Sequence, residues 1–496
     1  MSDTTSTDGR ATLGGSGRKL TLVDAVAQSV GFMGPVFSMA FLVPLIVGII
    51  SATGKGAGAA APLSVLIGAI GVLAIAWVIA EYARRIQAAG SLYDYVTDGL
   101  GAKVGAAAGF LYYLAVIGLG GGLLLLIAGT IHDTLAAEFG FTSIPVTAWA
   151  LIVLALIAVT LYFGVALSTR AQLVLAFFSM LVVLLFCLYV VIQVGGGNSI
   201  GTAFSPSSSP DGINGVFFGV VYGILLFTGF ETAANLGEET ANPKHDIPRA
   251  IVYAVLVVGV FYLFVTYAQV AGYHFNLDEI GKNAGAPLFG LAAPAEAGGY
   301  GGTAIARLLE LVVVLDMLAV LLGISVAGSR GIFAMARDHR FPPVLGRVSG
   351  RGTPLAASAV VVAIFAVFIV VSRQMPSLFA LPGYPHYFAM FSWFSSLGGF
   401  ALALIYLLVA LGAIRGLADH PKKGLLWLAI IVSVAVTLAA LWGAWYQVPA
   451  PTSWVVPTTI VLFVIGLLLA VIAPGRQTGH TAFDELTSGE SGPQKL

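Results

Sequence analysis

Long apolar runs separated by short polar segments account for most of this chain. Each run reaches the roughly 20 residues that an α-helix needs to cross the hydrocarbon core of a bilayer. The pattern predicts twelve such spans, at residues 25–50, 61–83, 105–131, 143–166, 170–195, 213–237, 248–273, 303–328, 355–372, 387–413, 424–446 and 453–473. We therefore expect an all-α polytopic membrane protein whose two termini lie on the same side.

Two of these runs are interrupted at their centres. The first contains Gly31-Phe-Met-Gly-Pro35, and the second contains Phe227-Thr-Gly-Phe-Glu231. An unpaired backbone N–H or C=O is costly in lipid, so a broken helix persists only where protein or a ligand satisfies it. A matched pair of breaks in the two halves of a chain indicates the substrate site of a transporter.

The breaks fall in spans one and six and divide the chain into two halves. We expect a first five-helix repeat at 21–195, a second at 212–413, and two additional helices, eleven and twelve, at 424–474. Because five is odd, the second repeat would insert upside down relative to the first, as in many secondary transporters. The polar segments 1–20 and 475–496 are predicted to be disordered cytoplasmic tails.

Charge is scarce, and its distribution predicts the orientation. Charged residues make up 9% of the chain and hydrophobic residues 58%, with 23 basic and 23 acidic side chains. Nineteen of the 23 basic residues fall in the tails and loops on one side and three in the loops on the other. Cytoplasmic loops collect Lys and Arg. We therefore expect a multi-pass protein of the cytoplasmic (inner) membrane with both termini in the cytoplasm.

Several function classes lack their sequence signatures. There is no metal-spaced His/Cys set, no nucleotide-binding loop and no appended soluble domain, and the zero net charge gives no field to attract nucleic acid. We expect no enzymatic activity, no catalytic residues, no metal site, no cofactor and no nucleic-acid partner. The expected partners are a small-molecule substrate and membrane lipid. A channel is disfavoured by the broken helices, whereas a substrate sensor stays open.

The first break predicts an anion site. Gly34 and Pro35 interrupt the helix, so that a second half-helix starts at about Val36. The free N–H groups at a helix start carry partial positive charge and suit a carboxylate. Pro35 has no N–H and cannot donate. The expected donors are therefore the N–H groups of Val36, Phe37 and Ser38, and the Ser38 hydroxyl is an additional candidate. The alternative is a simple proline kink.

The second break predicts a cation site and contains an acid. The half-helix before it ends near Phe227, and its last carbonyl groups suit an ammonium. Glu231 follows Gly229, and an acid in mid-membrane costs about 2.5–3.5 kcal/mol, so it should face a cavity or a partner. It either gates, binds a proton or senses substrate, or it is a structural acid bonded to free backbone N–H groups. Asn235 lies four residues on and shares its face.

Asp316 is a second acid inside a span. It lies near the middle of span eight. It is a candidate proton site or a contact for a cationic group of the substrate; the alternative is a structural acid paired with a neighbouring Ser or Thr.

Four groups of motifs, in order between residues 31 and 354, resemble the amino acid–polyamine–organocation (APC) family of permeases. They are Gly31-Phe-Met-Gly-Pro-Val-Phe37; Glu81-Tyr-Ala-Arg-Arg85 with Ala89-Gly-Ser-Leu-Tyr-Asp-Tyr95; Gly229-Phe-Glu231 with Asn242-Pro-Lys244 and Ile247-Pro-Arg-Ala-Ile251; and Ser329-Arg330 with Ala334-Met-Ala-Arg-Asp338 and Arg351-Gly-Thr-Pro354. The resemblance implies the leucine-transporter type of fold, with 5+5 inverted repeats and alternating access. Pro35 departs from the family pattern, which has a small non-proline residue there.

The resemblance also implies where the substrate amine binds. The amine would contact backbone carbonyl groups at both helix breaks, in span one and in span six. The carbonyl groups concerned are those of Leu225, Leu226 and Thr228 in span six, and of Gly31 or Phe32 in span one. The substrate would then be an amino acid or a related small amine, and Leu225, where some arginine-accepting relatives place a large aromatic, favours a neutral or aliphatic one.

The coupling ion stays open between a proton and sodium, and exchange is a further alternative. Proton-coupled members of the family often have a lysine in the fifth helix, where this sequence has Ser179. A sodium site in this fold would use carbonyl groups of span one and hydroxyl groups of span eight, such as those of Ser325 or Ser329.

Overall fold

The structure, a computed structural model, describes residues 20–472 except 49–55, 87–90, 164–168, 237–239, 284–285, 338, 350–352, 447 and 449. Twelve helices in this part of the chain are long and apolar enough to cross a membrane. Spans one to twelve are Leu22–Phe41, Gly58–Ala83, Ala102–Phe139, Val146–Phe163, Val174–Gly197, Gly212–Ala234, Pro243–Gly272, Thr303–Arg337, Leu355–Gln374, His386–Gly416, Lys423–Trp445 and Thr452–Ile472. The all-α, twelve-span fold class is confirmed. The predicted tails lie outside the described residues, apart from Leu20.

Short helices occupy the connections between the spans. They are Val43–Val47, Leu92–Leu100, Ile200–Ala203, Leu277–Lys282 and Pro287–Ala292. The described residues contain no β-strand, only the isolated bridges Leu20–Thr240 and Pro294–Gly301.

Local sequence chemistry starts and breaks span one. Thr21 caps its first half, Leu22–Met33, through a capping box in which the Thr21 N–H donates to the Asp24 carboxylate at 2.9 Å. Gly34 ends this half in the left-handed conformation, with φ +55°, and Pro35 is the first residue of the next half, Pro35–Phe41. Glycine tolerates that φ and proline is suited to a helix start, so both favour the break here.

Span six is broken in a different way. Its α-helix, Gly212–Leu225, gives way to a turn, and Gly229 then has φ +109°. The chain continues as a 3₁₀-helix, Phe230–Leu236, instead of a second α-helical half. The sequence predicted one interrupted span over 213–237, broken at Phe227–Glu231 with the first half-helix ending near Phe227. The structure ends the α-helix two residues earlier, at Leu225, and its irregular segment 226–229 contains Thr228 and Gly229.

The broken spans lie in the interior of the bundle. In their most apolar 18-residue windows, spans one, three, six and ten bury between 72% and 89% of their residues. Spans four, five, nine, eleven and twelve bury between 28% and 39% and direct large apolar side chains outward, as helices against lipid do. The two interruptions are therefore surrounded by protein.

Small residues bring span two close to span six. A Cβ at Gly68 would lie 2.9 Å from the backbone carbon of Gly223, so the two helices touch backbone to backbone. One turn earlier on span two, the Ser64 hydroxyl donates to the Val216 carbonyl at 2.8 Å. Close contacts of this type hold membrane helices together where lipid supplies no hydrophobic driving force.

Candidate functional site

The two breaks are in direct contact. The Ser29 hydroxyl, on the first half of span one, donates to the Phe230 carbonyl of span six at 2.8 Å. The Phe32 ring lies against Gly229, and its other edge faces Gly323 of span eight. The interrupted segments, about 200 residues apart in sequence, thus form a single site between spans one, six and eight.

The start of the second half of span one is occupied by a carboxylate of the protein itself. The N–H groups of Val36 and Phe37 both donate to Asp316 Oδ2, at 3.0 and 2.8 Å. Asp316 is 2% exposed. The structure gives it backbone N–H partners, whereas the sequence suggested a neighbouring Ser or Thr as its structural partner. Two of the three predicted donors for a substrate carboxylate therefore bind Asp316.

Ser38, the third predicted donor, is also engaged. Its N–H donates to the Gly34 carbonyl at 2.9 Å, within the helix ladder. Its hydroxyl donates to the Met33 carbonyl at 3.0 Å, and the Tyr262 hydroxyl of span seven reaches the same oxygen at 3.4 Å. In this conformation all the predicted anion donors have partners within the protein.

Glu231 is buried beside the second break with three donors. It accepts hydrogen bonds from the Gly229 N–H at 3.1 Å, the Tyr112 hydroxyl at 2.8 Å and the Tyr406 hydroxyl at 3.4 Å. Tyr112 belongs to span three and Tyr406 to span ten. The carboxylate thus fastens the break to two flanking helices, as the structural alternative expects, and its role in gating or coupling stays a prediction.

The end of the helical part of span six retains polar groups within reach of the break. The Leu225 carbonyl accepts from the Thr228 N–H at 2.9 Å, and the Phe227 carbonyl accepts from the Phe230 N–H at 3.1 Å. The Thr228 hydroxyl is buried and has no hydrogen-bond partner among the described residues. Leu226, the remaining predicted amine contact, has a fully buried side chain.

The candidate coupling residues differ in their surroundings. The Ser179 hydroxyl on span five is buried without a hydrogen-bond partner in the described part of the chain. The Ser325 hydroxyl donates to the Leu321 carbonyl of its own helix at 2.6 Å, and Ser329 likewise binds the Val326 carbonyl at 2.9 Å. Asn235 lies on the 3₁₀-helix after the break.

Sequence reasoning missed the side chains that hold the breaks in place. Ser29, Tyr112 and Tyr406 were not predicted as site residues, and neither was the contact between Asp316 and span one. Each partner lies more than 100 residues away along the chain. A tyrosine in an apolar span was the available signal, since a buried hydroxyl needs a partner.

The site contains acids without basic partners. No ion pair joins Asp316 or Glu231 to a Lys, Arg or His side chain among the described residues. A buried charge is normally paired, because its desolvation is expensive. The groups that can satisfy these acids are backbone N–H groups, tyrosine hydroxyls and a cation or proton from solution.

A separate cavity of about 180 Å³ opens at the far end of span six, between Asp211, Phe218, Gly443 and Tyr446. A smaller cavity beside it reaches Tyr222 and Ser396, whose hydroxyl oxygens are 2.7 Å apart. The first lies between spans six and eleven, and the second is also lined by residues of spans ten and twelve.

Known proteins with similar sequences are transporters. A family model described as amino acid permease matches residues 33–469. The branched-chain amino acid permease BcaP of Bacillus subtilis is 27% identical over 341 residues, which cover 63% of this chain and 68% of the relative. The low-affinity putrescine importer PlaP of Escherichia coli is 28% identical over 261 residues, covering 50% of this chain and 53% of the importer.

A solved structure shows the same fold. The manganese transporter of Eremococcus coleocola superposes with a TM-score of 0.54 at 13% identity, covering 94% of this chain and 98% of the transporter. At that identity the likeness concerns the fold alone.

Proposed function

The chain belongs to the amino acid permease family, and we propose that it is a secondary transporter that moves an amino acid or a related small amine across the cytoplasmic membrane by alternating access. The observation that carries this proposal is the direct contact of two helix breaks inside the bundle, through Ser29 and Phe230 and through Phe32 and Gly229. Irregular backbone at that depth is typical of the substrate site of such transporters.

The proposed substrate is neutral or aliphatic. Leu225, at the end of the helical part of span six, is 3% exposed and packs against Gly398 and Gly399 of span ten. An aliphatic wall there suits an aliphatic side chain. The branched-chain permease relatives support the same substrate class.

The proposed mode is uptake together with a cation. Two acids without basic partners near the breaks can accept a positive charge that travels with the substrate. Exchange of one amino acid or amine for another, and a sensor that binds without transport, are the alternatives.

Reconstitution of the purified full-length chain into proteoliposomes tests the proposal. Radiolabelled amino acids and amines are offered outside, with sodium or a pH gradient imposed separately, and binding is screened in parallel by thermal shift. We expect uptake of a neutral amino acid. Its concentration inside the vesicles should exceed the concentration outside only when a cation gradient is imposed. Uptake that requires internal substrate would indicate exchange, and binding without uptake would indicate a sensor.

Gly34→Leu is the matched inactive variant. A side chain at Gly34 would meet Val320 of span eight and would be strained at φ +55°, so the break could not keep its geometry. The variant should insert and purify as the wild type does and lose uptake. Equal uptake by this variant and the wild type would mean that transport does not depend on the geometry of the break, and it would contradict the proposal.

A further inference from the structure

Asp316 occupies the position that a substrate carboxylate would take. Its Oδ2 accepts the N–H groups of both Val36 and Phe37. Pro35, immediately before them, has no N–H to offer. The Ser38 N–H donates within the helix. The start of this half-helix therefore provides two N–H groups directed out of the helix ladder, and one carboxylate already uses both.

Two carboxylates cannot share these donors while both are ionised. Two carboxylates bound to the same N–H groups would lie next to each other, and a neighbouring like charge disfavours the ionised form of one of them. The helix start carries a partial charge of roughly +0.5, which is enough to favour one anion but not two. A substrate carboxylate can thus reach Val36 and Phe37 only after Asp316 loses its charge or leaves.

Among the described residues, no basic side chain forms an ion pair with Asp316. Span eight packs against both halves of span one, against spans three, four, five and nine, against the helix Pro287–Ala292 and, near its C-terminal end, against the 3₁₀-helix Pro343–Gly346. Ranges of these elements and of span seven that contain no Asp, Glu, Lys, Arg or His are 25–41, 104–131, 146–163, 171–194, 250–273, 287–292 and 355–372. On span eight itself the nearest charged residue is Glu310. In the part of the chain that the structure describes, Tyr262 of span seven is a titratable group close to Asp316.

We infer that Asp316 is the coupling residue of this transporter: its carboxylate competes with the substrate carboxylate for the Val36 and Phe37 N–H groups, so that each substrate enters together with one proton. This rests on the proposed function and names its coupling ion. A proton from the outer solution binds Asp316 and forms the O–H bond of a carboxylic acid. The acid releases the two N–H groups, and the substrate carboxylate accepts them. On the other side of the membrane the substrate leaves, Asp316 loses the proton to the cytoplasm, and its carboxylate binds the N–H groups again.

The competition also predicts which ligands need the proton. An amine without a carboxylate does not need the N–H groups of Val36 and Phe37, so it can bind while Asp316 stays ionised. The pairs L-leucine with isopentylamine and L-alanine with ethylamine differ only in the carboxylate group and are therefore the probes.

Calorimetry on the purified full-length protein measures the proton directly. Binding enthalpies are recorded in two buffers of different ionisation enthalpy. We expect about one proton taken up per amino acid bound by the wild type at a pH where Asp316 is ionised. We expect about none with the amine of the same pair, and about none for Asp316→Asn with either ligand.

Vesicle uptake gives a second readout. An inward gradient of one pH unit at zero membrane potential should drive about tenfold accumulation of the amino acid by the wild type, because tenfold ratios of proton and substrate correspond to the same free energy. Asp316→Asn should show no accumulation while it keeps exchange of labelled for unlabelled amino acid. Glu310→Gln, an acid-to-amide change six residues earlier in the same helix, is the control and should accumulate as the wild type does.

Several outcomes would overturn the inference. They are binding of the amino acid by the wild type without proton uptake, accumulation by Asp316→Asn, and binding of the amines alone, which would make Asp316 a contact for the substrate ammonium. Each would leave the proposed transport function standing, whereas absence of uptake and exchange of both ligand classes in the wild type would remove that function as well. If Asp316→Asn fails to elute as a single species, the wild-type calorimetry decides alone.

Discussion

The Phe32 ring packs directly on the α-carbon of Gly229, so that the centre of span one lies on the centre of span six. A Cβ at Gly229 would clash with this ring, and the backbone there has φ +109°, which side chains with a Cβ rarely adopt. Phe32 is 3% exposed and also faces Gly323. In this conformation the aromatic ring lies between the two breaks, so a substrate that binds at the proposed site would have to displace it.

The left-handed conformation of Gly34 is expected to be necessary for transport. Gly34→Ala adds strain of about 1–2 kcal/mol and crowds Val320. Since about 1.4 kcal/mol corresponds to a factor of ten, initial uptake in proteoliposomes should fall about tenfold. Gly140→Ala is the control, because Gly140 has φ +62° with no atom within 4 Å of its Cβ position. A similar loss of uptake in both variants would show that the effect comes from general destabilisation and not from the break.

The two tyrosines that bind Glu231 should contribute unequally to stability. Tyr112→Phe removes a 2.8 Å bond and Tyr406→Phe a 3.4 Å bond to the same carboxylate. A hydrogen bond to a charged group contributes about 1.5–3 kcal/mol, and the longer bond contributes less. We expect the thermal midpoint in detergent to fall more for Tyr112→Phe. Equal midpoints for the two variants would contradict this ranking.

The ion pair between Arg85 and Asp419, in loops predicted to be cytoplasmic, should make stability depend on pH only in acidic buffer. Arg85 Nη1 lies 2.5 Å from Asp419 Oδ1, and this hydrogen bond lowers the pKa of the Asp419 carboxyl group. A lowered folded-state pKa means that the stabilisation is complete above the unfolded value of about 3.9 and is lost as the pH falls through the folded value.

The midpoint difference between the wild type and Asp419→Asn should therefore be small and constant between about pH 5 and pH 8, since exposed pairs contribute little. It should disappear only in more acidic buffer. A difference that changes near neutral pH would assign the effect to another group.

The predicted orientation can be tested with the single native cysteine in place. Cys187 is fully buried and should not react with an impermeant maleimide. Lys282→Cys, in a loop predicted to be external, should label in intact cells, whereas Lys423→Cys should label only after permeabilisation. The inverse pattern would reverse the topology that the Lys and Arg distribution predicts.

The sequence alone determined the class of this protein and the location of its breaks. Twelve apolar runs predict twelve spans because a bilayer requires every backbone group to be paired within a helix. Gly34 with Pro35, and Gly229, predict the interruptions because only certain residues allow those backbone angles or lack the N–H that continues a helix. These are local properties, and they can be derived from a few adjacent residues.

Only the tertiary structure decided what meets each break. The Val36 and Phe37 N–H groups were expected to face a substrate carboxylate, and folding brings Asp316 to them from about 280 residues away. Likewise, Tyr112 and Tyr406 reach Glu231 from two other spans. No local pattern specifies which buried donor pairs with which acid, because that depends on how helices far apart in sequence pack side by side.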